Sequence, residues 1–343
     1  MNLSLSHFDN FNVFFNNQTD RPMLNSDVNE EKSDDYIQNI LITISYSLIV
    51  IISLVGNTLV FKTIAFQSKM RNSTNILIAV LAVSDLLMTI FNIPFTVVDI
   101  ITRDWLFGQF FCTLVSFVQA NCVYVSSFTM AVIAINRFQA VYRTRPQVPV
   151  RSEQRFDFKL LLILLIIWVL AALHSLPHTI FNGIVLIHGN RRCYPTLPET
   201  QYNLRLILTL ETFVTQYIIP LSCAGVIYTR ISFTILSQGR VGESTEDRAR
   251  QMTGKKRRRI SMLILVVTIF ALCWLPFNVY YLLLDFEIIE KPNFVIFLLC
   301  HWLAMSSVCY NPFVYCWLNE NFRKEAKRFF TFILEIRNRP AII

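Results

Sequence analysis

The sequence predicts an all-α membrane protein, a bundle of seven transmembrane helices followed by a short amphipathic helix. Hydrophobic residues make up 54% of the 343 and charged residues 16%. The apolar residues gather into seven runs, at about 37–61, 75–98, 110–135, 160–180, 206–228, 261–284 and 294–317. Each run has about twenty residues or more, the length a helix needs to cross roughly 30 Å of hydrocarbon. None shows the alternation of a barrel strand. Basic residues fall in alternate connections: Lys62, Lys69 and Arg71; Arg143, Arg145, Arg151, Arg155 and Lys159; Arg230, Arg240, Arg248, Arg250 and 255–259; then Arg323, Lys324, Lys327 and Arg328. The positive-inside rule makes these the cytoplasmic face. The net charge of +8 is therefore mostly cytoplasmic and directed at the bilayer, not at nucleic acid.

Residues 1–36 are polar and acidic, and are expected to be extracellular and disordered. Asn2 and Asn17 begin Asn-X-Ser/Thr triplets there and are glycosylation candidates. No apolar run precedes Tyr36, so the first span is expected to serve as signal anchor. The bundle is assigned to 37–318, and 319–343 to the amphipathic helix and a cytoplasmic tail. The first run holds Gly56-Asn57 and the second holds Leu81-Ala82-Val83-Ser84-Asp85. A lone carboxylate at membrane depth is costly and marks a functional candidate. Asn57, Asp85, Ser126, Ser307 and Asn311 are the polar groups available to enclose water or a sodium ion, the one candidate cofactor. The alternative is a satisfied network that only orients helices.

The third run is the central post. As a helix, Cys112 to Arg137 spans about 38 Å, and Gln119, Ser126 and Arg137 lie along one face. Such a polar row has no place against lipid, so this post implies communication between two aqueous compartments. Cys112 and Cys193 both face an oxidising compartment, where paired cysteines bond; a bridge would set the loop after the fourth run as a lid. Cys122, Cys223, Cys273, Cys300, Cys309 and Cys316 lie within the runs as small core residues. His174 and His178 are one turn apart, but Pro177 intervenes and no third metal ligand is visible. In the sixth run Pro276 predicts a kink, and Trp274, Tyr281 and Asp285 share a face. The seventh run holds Asn311-Pro312-Phe313-Val314-Tyr315, a second breakable point. Beyond it, 319–334 reads as a helix on the inner leaflet with Phe322, Phe329, Phe330 and Ile333 against lipid.

Together these motifs resemble rhodopsin-like G-protein-coupled receptors. The resemblance rests on Gly56-Asn57, Leu81 to Asp85, Cys112 with Cys193, Asn136-Arg137-Phe138, Trp168, Cys273-Trp274-Leu275-Pro276 and Asn311 to Tyr315, one set per span and in order over about residues 38–334. It implies a receptor in the plasma membrane whose cytoplasmic cleft admits a heterotrimeric G protein, with Asn136, Arg137, Tyr228, Pro276 and Tyr315 in activation and coupling. Gln119 stands where amine receptors carry an aspartate, and Met305 where opsins carry a retinal-linking lysine. Gln119, Gln216, Asp285 and His301 are instead similar to the neuropeptide Y, RYamide and neuropeptide F group. That likeness implies an extracellular neuropeptide, amidated and with an arginine near its end, bound by Asp285, with Gln119, Gln216, Trp274, Tyr281 and His301 deeper in the site. Short charge-assisted bonds between arginine and carboxylate suit that pairing; Glu287 and Glu290 would steer a cationic peptide. The bland alternatives are a solvated charge for Asp285 and a bond to a neighbouring helix for Gln119.

Three departures stand out. Asn136 replaces the usual acid, Phe138 the usual tyrosine, and Lys256 stands where some members carry a glutamate, so Arg137 is expected to lack carboxylate partners. After Tyr315 the only hydroxyl is Thr331, and no cysteine follows Cys316. Tail phosphorylation and lipidation are therefore not expected, leaving Ser244, Thr245 and Thr253 in the third inner loop. No phosphate loop, nucleophile with base, or metal cluster points to an enzyme. The rival classes are a receptor for a non-peptide ligand and a transporter, the latter weakened by the lack of an internal repeat.

Overall fold

The computed structural model describes residues 25–142, 158–187, 189–198, 203–238 and 246–337. Asn2, Asn17, Ser244 and Thr245 lie outside the described residues. In chain order the elements are α1 (Asn25–Phe66), α2 (Ser73–Phe91), α3 (Ile93–Thr102), α4 (Gly108–Tyr142), α5 (Phe158–Thr179), β1 (Asn182–Ile187), β2 (Asn190–Pro195), α6 (Leu204–Thr212), α7 (Ile219–Gln238), α8 (Glu246–Asp285), α9 (Phe294–Leu318) and α10 (Glu320–Arg337). They supply seven helices long and apolar enough to cross a membrane: α1, the α2–α3 pair, α4, α5, the α6–α7 pair, α8 and α9. The third span, α4, is the post: 61% of its most apolar stretch is buried, against 22% for the first, fourth and fifth spans.

Helix starts follow capping chemistry. The side chains of Asn72, Asn203 and Asn293 accept from the backbone N–H of Asn75, Leu206 and Ile296 at 3.0, 3.1 and 3.1 Å, occupying donors that a helix leaves unpaired at its first turn. Helix α1 begins at Asn25, which corrects the expectation that residues up to 36 are disordered; once the span nucleates a helix, adding outer residues is cheap. Helix α8 likewise begins at Glu246, so the basic run 255–259 is helical and not part of a loop. The α10 helix corrects another detail. Phe322 does not face lipid: it is buried, its ring 5.7 Å from that of Tyr315. The hairpin β1–β2 was not foreseen by an all-α reading. Its register runs from Asn182↔Pro195 to Ile187↔Asn190, and Gly189 at the turn has φ +84°, a conformation that favours glycine.

Prolines interrupt the helices, and the fold repairs them. Pro312 has no N–H to offer the carbonyl four residues back, that of Val308. Asn57 Nδ2 donates to that oxygen at 2.9 Å from the first span, and also to Ser53 Oγ at 3.1 Å. Gly56 makes the approach possible, since a Cβ there would stand 2.7 Å from Pro312 Cγ. In the fifth span Pro220 follows a turn of π type, Phe213–Ile218, which widens the ladder where a donor is missing.

Asn57→Ala is expected to leave the Val308 carbonyl without a donor in a dry interior, a loss of about 1–3 kcal/mol. Gly56→Ala would force a rigid ring out of its seat. Both should lower the melting temperature of the detergent-solubilised protein and its surface expression; wild-type melting in both would refute this seam.

Candidate functional site

A cavity of about 410 Å³ opens at the outer face. Its walls come from α3 (Asp99, Ile100), β2 (Arg192, Tyr194), α6 (Arg205, Thr209), α8 (Tyr281, Asp285) and α9 (Phe294, Phe297). The β hairpin lies over it, hung from the third span. Cys112 and Cys193 are disulfide-bonded with Cα atoms 5.5 Å apart. Gln109 Nε2 donates to the Asn182 carbonyl at 2.7 Å, and its Oε1 accepts from Ile184 N at 3.2 Å. Trp105, 3% exposed, packs with Cys112 and Val115 under the hairpin and donates its backbone N–H to the Arg191 carbonyl at 2.8 Å. Asp104 completes the latch, accepting from the backbone N and Nη2 of Arg191, each at 2.7 Å. These bonds to Arg191 hold the Asp104 carboxyl below the usual carboxylate range.

Asp285 is 5% exposed, which rules out a freely solvated charge, and its Oδ2 accepts from Thr209 Oγ1 at 2.5 Å. Arg192 and Asp99 form a second, looser pair at 3.6 Å. Arg205 Nη2 donates to the Tyr194 hydroxyl, with its guanidinium carbon 5.0 Å from that ring's centre. Of the predicted ligand residues, Tyr281 and Asp285 line this cavity, while Gln119, Gln216, Trp274 and His301 do not. Those four bond to neighbouring helices instead. Gln119 Oε1 accepts from Asn92 Nδ2 at 2.9 Å and Gln216 Nε2 donates to the Ala120 carbonyl at 3.4 Å. His301 Nδ1 meets the Tyr46 hydroxyl at 2.7 Å, and Trp274 Nε1 donates to Ser307 Oγ at 3.2 Å. The sequence reading missed Arg192, Tyr194 and Arg205; a cation placed just before the fifth apolar run was the available signal.

A second space of about 20 Å³ lies mid-bundle among Asp85, Ser84, Ser126, Trp274, Ser307 and Asn311. It exceeds the roughly 10–15 Å³ that one water needs. Asp85 Oδ2 accepts from Asn311 Nδ2 at 3.0 Å, and Ser84 and Ser126 share a hydroxyl bond of 2.9 Å. Asn57 is not on this wall, because its amide serves Val308. A carboxylate among hydroxyls and an amide is a hard-oxygen set, which fits a small hard cation. His174 and His178, weighed as a metal pair, instead share Glu211: Nδ1 of His174 meets Oε1 at 2.6 Å and Nε2 of His178 meets Oε2 at 3.3 Å. Tyr124 and Thr215 also bond that carboxylate, joining three spans.

At the cytoplasmic end Arg137 is half-buried and, among the described residues, no carboxylate reaches it. Its Nε, the Tyr228 hydroxyl and the Tyr315 hydroxyl are buried without a hydrogen-bond partner among the described residues. Arg258 ties the sixth span to the seventh, donating to the Trp317 carbonyl at 2.8 Å with Glu320 3.7 Å away.

The sequence pattern of the 7 transmembrane receptor (rhodopsin family) matches residues 56–315. The chain is 31% identical over 323 residues to the substance-P receptor of Aquarana catesbeiana, covering 92% of this chain and 77% of the relative. It is 32% identical over 340 residues to the neuropeptide Y receptor type 1 of Xenopus laevis, covering 94% and 90%. It is also 32% identical over 311 residues to the tachykinin-like peptides receptor 99D of Drosophila melanogaster, covering 88% and 59%.

The latch gives a pH prediction. A carboxyl held low in the folded protein contributes fully above its ordinary pKa of about 4, and that contribution fades as pH falls through the lower folded value. Protection factors of the 182–187 and 189–194 amides, the exchange rate of an unfolded chain at the same pH divided by the observed rate, should therefore hold from pH 7 to about 4 and fall below it. Asp104→Asn should lower them throughout; protection unchanged by that substitution would show that the hairpin does not depend on the latch.

Proposed function

The chain belongs to the rhodopsin family of seven-transmembrane receptors, and on that premise we propose that its outer cavity binds an extracellular peptide, amidated and with an arginine near its C-terminus. As a multi-pass protein of the plasma membrane it passes occupancy of that cavity to a heterotrimeric G protein. Signal transfer, not catalysis, is the activity this reading gives it. The relatives are named as receptors for substance P, neuropeptide Y and tachykinin-like peptides, which supports a peptide ligand. The observation that carries the finer reading is Asp285, a withdrawn carboxylate in the wall of a cavity large enough for a peptide end. A guanidinium is the cation whose fork matches it.

In this reading the ligand favours the state in which the sixth span swings about Pro276, because it binds that state more tightly. Gln119, Gln216, Trp274 and His301 act beneath the ligand as links between spans. The unpaired polar atoms of Arg137, Tyr228 and Tyr315 are the groups with most to gain from a new arrangement around a G protein. The small cavity at Asp85 takes one sodium ion or water, and its Asn311, Ser126 and Ser307 hold that occupant between the second, third and seventh spans.

G-protein activation by amidated peptides ending in Arg-Phe or Arg-Tyr should be weakened about 10- to 100-fold by Asp285→Ala, as loss of a charge-assisted bond implies. Equal potency on both forms would refute the assignment of Asp285. With no carboxylate on Arg137 among the described residues the closed inner face lacks one tie, so ligand-independent signalling should be high and Asn136→Asp should reduce it. A low baseline, the same in both forms, would sink that expectation.

A further inference from the structure

The wall of the outer cavity carries a cation that Asp285 does not use. Arg205 stands one helical turn before Thr209 on α6, and Thr209 is the residue bonded to Asp285. Along the axis of that helix Arg205 therefore sits about 6 Å outward of Thr209, nearer the outer mouth. The guanidinium is half-buried and fixed over the Tyr194 ring, with Nη2 engaged by the Tyr194 hydroxyl. Among the described residues no carboxylate lies within ion-pair distance of it. A guanidinium has five N–H donors, so most remain for something that enters the cavity. Its neighbour in the same wall, Arg192, is already committed to Asp99.

We propose that Arg205, positioned by Tyr194, is an anion subsite of this cavity, and that the ligand carries an aspartate or glutamate two residues before the arginine that meets Asp285. The inference rests on the peptide reading above. An extended peptide advances about 3.3 Å per residue and sends alternate side chains to the same side. Residues two apart therefore point to one wall about 6.6 Å apart, close to the helical rise of about 6 Å between Arg205 and Thr209, which bonds Asp285. The order follows from depth: the C-terminal arginine enters to the level of Thr209, and the acid remains a turn further out. A ligand with charges in this order matches both receptor groups, whereas the reversed order brings like charges together.

The test uses two amidated pentapeptides, Ala-Glu-Ala-Arg-Phe and Ala-Gln-Ala-Arg-Phe, with the matching pair ending in Tyr, on wild type, Arg205→Gln, Arg205→Lys and Arg205→Glu at matched surface expression. Wild type should prefer the glutamate peptides by roughly 10-fold. Arg205→Gln should abolish the preference, Arg205→Lys keep part of it, and Arg205→Glu reverse it in favour of the glutamine peptides. Equal response of wild type to glutamate and glutamine peptides, or a preference that survives in Arg205→Gln, overturns the anion subsite and leaves the peptide reading standing. Silence of wild type to all of them overturns the peptide reading and this inference with it.

Discussion

A backbone polar group in hydrocarbon has no water to fall back on, and this constraint governs the bundle wherever a proline breaks the ladder. The seam between the first and seventh spans shows how it is met. Pro312 strips Val308 of its donor, Asn57 supplies another from across the interface, and the missing side chain of Gly56 lets the ring close in. Three residues thus fix the distance, register and rotation of two helices that have no contact in sequence. In the fifth span the repair is made within the helix, as a widened turn before Pro220.

Above that frame the outer half is electrostatically divided. Asp104 with Arg191 and Asp99 with Arg192 are internal pairs that hold the hairpin to the second and third spans. Neither pair uses Arg205 or Asp285, which line the same cavity. The inner half is built differently. Its key polar atoms, on Arg137, Tyr228 and Tyr315, have no partners among the described residues. Buried groups left unpaired raise the energy of the arrangement that contains them, so these three favour any rearrangement that gives them partners.

How far the sequence could be read depended on what each feature required. Spans follow from hydropathy and topology from charge, because a bilayer penalises every error in either. Asp85, Cys112, Cys193 and Pro276 declared themselves because each residue type is out of place unless used. The side that a helix turns toward its neighbours is a different matter. Gln119, Gln216 and His301 are polar residues at plausible depth, but whether they face a cavity or another helix depends on rotations of about 100° per residue that no spacing fixes. Asn57 is the same case: its amide was needed by Val308 and so was withheld from the space beside Asp85. The lid hairpin escaped because its Gly183–Ile187 run is too short and too close to an apolar span to stand out. Phe322 escaped because an amphipathic pattern fixes an apolar face without saying whether bundle or lipid receives it.

The prolines are unevenly distributed. Pro94, Pro177, Pro220, Pro276 and Pro312 fall in the second, fourth, fifth, sixth and seventh spans, but the 35 residues of Gly108–Tyr142 contain none. That helix is roughly 52 Å long, bolted to the lid at Cys112 and carrying Arg137 near its other end. Mechanically the third span is an axle without a proline joint, and five of the six spans around it carry one; the first span has none. A push on the hairpin reaches the inner arginine without passing through a joint, and it is the jointed spans that must yield.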